Sequence, residues 1–130
     1  MNKYSDKSDF EINKAVAVAI GFPCYYGDGS YTNGLGLRAA VVKGKNINGN
    51  YMVGGFDPCN SPADAMPIII DNGICMNYID KDIGWGAYHF DEKKGELEIY
   101  DKNYYRAAMI CFLMMKDAEN EKVDGSVEIK

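Results

Sequence analysis

Few residues in this chain have the type and setting to do chemistry, and Arg106 is the sharpest of them. It is the one charge in the run Tyr104–Met115, YYRAAMICFLMM. A guanidinium presents N–H donors in a rigid fork that matches carboxylate and phosphate. Set in an apolar segment, it needs a partner. Asp57 or Asp64 could supply a carboxylate from inside the molecule, or a visiting anionic group could be gripped bidentately. The internal ion pair is the first expectation. Asp57 and Asp64 bracket the turn DPCNSPAD, which also holds Asn60. Trp85 stands between Gly84 and Gly86. Glycines on either side leave room over the indole, either for stacking by a ligand or partner side chain or for packing on the central helix. Asp57, Asn60, Asp64, Trp85 and Arg106 are therefore the candidate binding residues.

Other constellations fail on composition or spacing. His89 is the single histidine, and Cys24, Cys59, Cys75 and Cys111 never fall at C-x-x-C spacing, so a structural zinc site lacks ligands. Asp80-Lys81-Asp82 opens like a calcium loop, but Trp85 occupies the place where that loop needs glycine. Zinc deaminases need H-x-E ahead of P-C-x-x-C; here Pro58-Cys59 precedes His89, and Asp91 stands where the glutamate belongs. Cys59 and His89 could in principle form a nucleophile pair, yet nothing local brings them together. Gly27–Gly36, GDGSYTNGLG, has no phosphate-loop lysine and reads as a plain loop, although its amides could cradle an anion. No catalytic residue, metal ligand or cofactor is expected.

These residues need a frame. Ser8-Asp9-Phe10-Glu11 is an S-x-x-E capping box and predicts a first helix ending at Gly21. Residues 23–36 read as a loop. Leu37–Ile47 and Asn50–Phe56 read as strands joined by Asn48-Gly49, a hairpin signal. Ser61 and Pro62 start a second helix as N-cap and first helical residue, with Asp64 in its first turn, a bend expected at Pro67 and an end at Asn72-Gly73. A meander follows over Ile74–Ile79, Gly84–Phe90 and Glu96–Tyr100, with Ile74, Met76 and Tyr78 on one face. The central helix is predicted over 102–118. It is apolar all round and so must be buried, and twelve such residues are too few to cross a bilayer. Residues 119–130 read as a mobile tail or an added edge strand. The predicted fold is α+β: one domain over 1–130, with an antiparallel sheet of four to five strands packed around a hydrophobic C-terminal helix, plus two shorter helices.

Composition agrees with this frame. The chain is 130 residues long, 47% hydrophobic and 25% charged, which supports one core and argues against disorder of the body. Ten tyrosines and fourteen glycines suit a loop-rich binding surface. Net charge is −5, which excludes direct binding to a nucleic-acid backbone, and the acids are interspersed with lysines rather than massed like a DNA mimic. The polar start MNKYSDKSDFE carries no secretory signal, so the cysteines are expected to be free thiols in a reducing cytoplasm.

Three stretches in order carry a resemblance: DFEINKAVA, DPCNSPADAMPIIIDNGI and YYRAAMICFLM. Together with Trp85 they resemble the NinX-like family of small phage proteins, whose pattern falls here on Ser8–Ala17, Asp57–Ile70, Trp85 and Arg106–Met109. The resemblance implies an accessory phage product acting in a bacterial cytoplasm, with no catalytic residues to carry over. The expected function is non-catalytic binding of a host factor, in a host-modulating or anti-defence role. The alternative is a pocket that sequesters a small nucleotide-like signal, with Trp85 or a tyrosine on the base and Arg106 on phosphate. No membrane partner is expected, and self-association is left open.

Overall fold

Helix α1 spans Asp9–Ile20 and is set by its two ends. Ser8 Oγ accepts the Glu11 backbone N–H at 3.1 Å, and Glu11 Oε1 accepts the Ser8 backbone N–H at 3.1 Å, which closes the capping box. That bond from the Ser8 backbone is the main reason the Glu11 carboxyl is held below its ordinary pKa. Gly21 ends the helix at φ 86°, a left-handed cap open to glycine without strain. Ile12, Asn13, Val16 and Ala17 are buried on one face, and Asn13 is the polar exception in an otherwise apolar stripe.

The computed structural model describes residues 3–21, 24–25, 40–46, 49–91 and 95–128. Strands β1 (Cys24–Tyr25), β2 (Ala40–Asn46) and β3 (Gly49–Phe56) form one antiparallel sheet in that order. Cys24 and Tyr25 thus pair with β2, where a loop was expected; the rest of the Gly/Tyr segment lies outside the described residues. Asn46 pairs with Gly49 at the end of the β2–β3 hairpin, so Gly49, expected in the turn, lies in β3. The hairpin's tip, which holds Asn48, is also outside the described residues.

Helix α2 spans Pro62–Asp71 and begins as its sequence dictates, with Ser61 capping the Asp64 N–H and Pro62 at the start. It continues through Pro67 and ends where the Asn72 side chain donates to the Ile68 carbonyl at 2.8 Å. Strands β4 (Cys75–Asp80), β5 (Gly84–Asp91) and β6 (Gly95–Asp101) form the second antiparallel sheet, ordered β4-β5-β6. The architecture is α+β with antiparallel sheets, as expected, but among the described residues the strands divide into two sheets of three rather than one of four to five. Helix α2 intervenes between β3 and β4, and each sheet closes on sequential neighbours.

Helix α3 spans Tyr104–Glu128 and packs on β5, β6, α1 and α2. Ala107–Leu113 is buried without interruption, as the apolar run required. The helix also continues through residues expected to form a tail or edge strand. Ala118, Glu119 and Glu121 favour helix, and Lys116 and Glu119 pair at 3.7 Å one turn apart. Ala87 and Ile99 are register partners and face α3 fully buried. The alternate residues of the same strands point the other way, and there Phe90 is 62% and Tyr100 52% exposed. Of the face predicted for β4, Ile74 is buried while Tyr78 is 59% exposed, because the strand lies at the sheet's edge.

Candidate functional site

The ends of three elements, α1, β6 and α3, converge on Arg106. Asn103 caps α3: its Oδ1 accepts the backbone N–H of Tyr105 at 2.8 Å and of Arg106 at 3.1 Å. This fixes Arg106 in the first turn, with its side chain 14% exposed. Nε donates to Asp101 Oδ2 at 3.0 Å and one terminal nitrogen donates to Asp9 Oδ1 at 2.6 Å. The other terminal nitrogen donates to the carbonyls of Ser5 at 3.2 Å and Lys7 at 2.8 Å. The internal ion pair is therefore realised, but its acids are Asp9 and Asp101 rather than Asp57 or Asp64. Four of the five guanidinium N–H groups are engaged by these bonds.

Asp57 and Asp64 serve a neighbouring network. Asp57 is 4% exposed. Its Oδ1 accepts from Asn13 Nδ2 at 2.7 Å and from Asn60 Nδ2 at 3.1 Å. Asn13 Oδ1 in turn accepts the Cys59 backbone N–H at 3.0 Å. Asn60 Nδ2 also donates to Asp9 Oδ2 at 3.0 Å, which joins this network to the Arg106 cluster, and Asn103 Nδ2 donates to Asn60 Oδ1 at 3.3 Å. Asp64 Oδ2 accepts the Asp57 backbone N–H at 3.0 Å and so ties the turn to the first turn of α2. Asp57, Asn60, Asp64 and Arg106 are thus brought together through three residues that the sequence reading passed over: Asp9, Asn13 and Asp101. Of these only Asn13 carried a local signal, since it interrupts the buried stripe of α1. Asn103, also passed over, precedes an apolar helical run at cap spacing.

Trp85 sits beside this cluster, since its register partner on β6 is Asp101. Its ring meets Tyr104 edge-on at 4.9 Å between centroids and Tyr78 at 5.2 Å. Of the two roles weighed for it, packing on the central helix is the one this geometry displays. The flanking glycines serve the sheet. A β-carbon on Gly86 would lie 3.1 Å from the Tyr100 ring and 3.4 Å from Ile79. Gly84 has φ 94°, and a β-carbon there would fall 2.5 Å from Lys102 Cα and 2.7 Å from the Asp101 carbonyl. Gly84→Ala is expected to cost about 2 kcal/mol from left-handed backbone and this clash together, read as a lowered urea midpoint with the m-value kept.

The buried thiols of Cys59 and Cys111 are poorly set for nucleophilic work. Burial, with the Asp9 carboxylate nearby, pushes the Cys59 thiol well above its ordinary range. Burial, with Cys75 nearby, pushes Cys111 up to about 12. His89 Nδ1 is buried without a hydrogen-bond partner. Among the described residues no group of three or more His, Cys, Asp and Glu could hold a metal ion, and no helix is long and apolar enough to cross a membrane.

The network joins three stretches far apart in sequence: Asp9 and Asn13, Asp57–Asp64, and Asp101–Arg106. No curated protein and no solved structure matches the chain. The family model described as "Bacteriophage P22, NinX" matches residues 3–116, a span that takes in all three stretches and both sheets. The chain belongs to the NinX family of phage proteins.

Proposed function

We propose that this phage protein is a non-catalytic accessory product that acts in the bacterial cytoplasm by binding a host protein, in a host-modulating or anti-defence role. One observation carries the reading: the face of β5 and β6 turned away from α3 presents large apolar side chains to solvent. Phe90 and Tyr100 lie there with Ile79, all exposed, and the Tyr100 ring and Ile79 close over Gly86. Aromatic residues on an exposed, rigid sheet are the material of protein interfaces. The clustered carboxylates and amides beneath Arg106 would hold the scaffold rather than meet the partner. The nucleotide-sequestering alternative needs guanidinium donors for phosphate, and four of these already serve Asp9, Asp101, Ser5 and Lys7.

The experiment is affinity capture from infected host lysate, comparing the natural chain with Phe90→Lys. A host protein recovered stoichiometrically by the natural chain and lost with the variant is the expected result. Recovery that is indifferent to Phe90→Lys would move the interface elsewhere. Thermal stabilisation by added nucleotides, with no protein recovered, would favour sequestration.

A further inference from the structure

Strand β4 is an edge. Among the described residues it pairs only with β5, and five of its six residues are exposed. Natural edges are commonly blunted by lysine, proline or a bulge. The sequence CMNYID offers neither lysine nor proline. The register shift that marks a bulge comes only between Tyr78 and Asp80, which leaves Cys75–Tyr78 regular and open.

The order of residues along this edge points to its occupant. We propose that β4 pairs antiparallel with β4 of a second copy of this chain, across a two-fold axis at Asn77, to give one continuous six-stranded sheet. About Asn77 the strand is chemically palindromic. Antiparallel pairing there sets Met76 against the second copy's Tyr78, and brings Cys75 toward its Ile79 at the bulge. Apolar groups meet apolar groups on both faces, with a thioether beside an aromatic ring on one of them. The two Asn77 amides, exposed on the outer face, meet at the axis and can exchange hydrogen bonds. No charge lies within the paired stretch, and Asp80 falls beyond it. A host segment would need its own matching pattern, whereas a second copy supplies it by symmetry.

The area agrees with a weak dimer. With roughly 200 Å² for a whole aromatic side chain, the exposed parts of Tyr78, Ile79 and Ile83 plus the strand's own edge offer on the order of 500 Å² per copy. Two copies would bury about 1,000 Å², near the lower bound for a specific interface. The pairing is independent of host binding. It would place the two copies' Phe90 and Tyr100 faces on the same side of one sheet.

Sedimentation velocity of the purified chain under reducing conditions tests this. The weight-average mass should climb with concentration from 14.4 kDa toward twice that value, and Asn77→Lys, which sets two ammonium groups against each other at the axis, should hold it at 14.4 kDa. In a Cys75→Ser background, Asn77→Cys should oxidise to a covalent dimer much faster than the same background carrying Lys81→Cys. A mass fixed at one chain up to millimolar concentration would overturn the pairing. So would an Asn77→Lys variant that associates as well as the natural chain, or equal cross-linking at both positions. Should Asn77→Lys fail to fold, as judged by circular dichroism, the cross-linking comparison decides alone.

Discussion

Arg106→Ala is expected to lower stability by about 3–5 kcal/mol, the range for removing one partner of a buried charge pair. The side chain is only 14% exposed. Its loss strands Asp9 and Asp101 without their cation and leaves the Ser5 and Lys7 carbonyls to water. The clamp also reaches further than a pair. Asp9 begins α1, Asp101 ends β6, and Arg106 opens α3, so one side chain fastens the N-terminal helix and the second sheet to the start of the central helix. The chain ahead of α1 is tied to α3 a second time, where the Tyr4 hydroxyl donates to Asp117 at 2.7 Å. At roughly 3–5 °C per kcal/mol for a chain of this size, the melting temperature should fall by on the order of 10–25 °C. Arg106→Lys keeps the charge but has no planar fork to span Asp9, Asp101 and two carbonyls, and should recover less than half of the loss. A drop under about 1 kcal/mol for Arg106→Ala would reduce the clamp to the worth of a surface pair.

That clamp shows where sequence reasoning succeeds on this chain and where it stops. The need for an acidic partner followed from one charge inside an apolar run, since an unpaired buried guanidinium is too costly to keep. Which acid answers it depends on how α1 and β6 approach α3, and no local pattern encodes that approach. Asp57 and Asp64 lie in a conspicuous acidic turn, whereas Asp9 lies inside the capping box and Asp101 falls between the strand and the helix expected on either side of it. Element boundaries were legible wherever a side chain dictates backbone geometry. The box at Ser8 and Glu11, the Ser61–Pro62 start and the glycine at position 21 all lie where their chemistry requires. The division into two sheets was hidden, because strand pattern reports which residues alternate and not which strands meet. The extension of α3 through Glu128 was hidden for a related reason. A mainly polar segment has no apolar stripe to announce it, and here it continues a helix already nucleated and buried.

Asn13 carries the second large effect. Its amide lies within a buried helix face and uses both ends: Nδ2 donates to Asp57 Oδ1 at 2.7 Å and Oδ1 accepts the Cys59 N–H at 3.0 Å. Replacement by a carboxylate of nearly the same shape isolates the chemistry from the packing. Asn13→Asp should keep the bond to the Cys59 N–H but turn the contact with Asp57 into two acceptors facing each other. The expected cost at neutral pH is about 3–5 kcal/mol, as for an uncompensated buried charge. Acid should reverse much of it. The folded variant can hold a proton between the two carboxyls that the unfolded chain releases, so the folded state binds more protons, and stability rises as pH falls. Asn13→Leu removes both hydrogen bonds without adding charge and should cost about 2–3 kcal/mol, with little of this pH dependence. Urea midpoints at neutral and mildly acidic pH separate the two variants. If both lose the same stability at both pH values, the buried Asn13–Asp57 contact contributes only packing, and the polar network beneath Arg106 is not what fastens the central turn to the first helix.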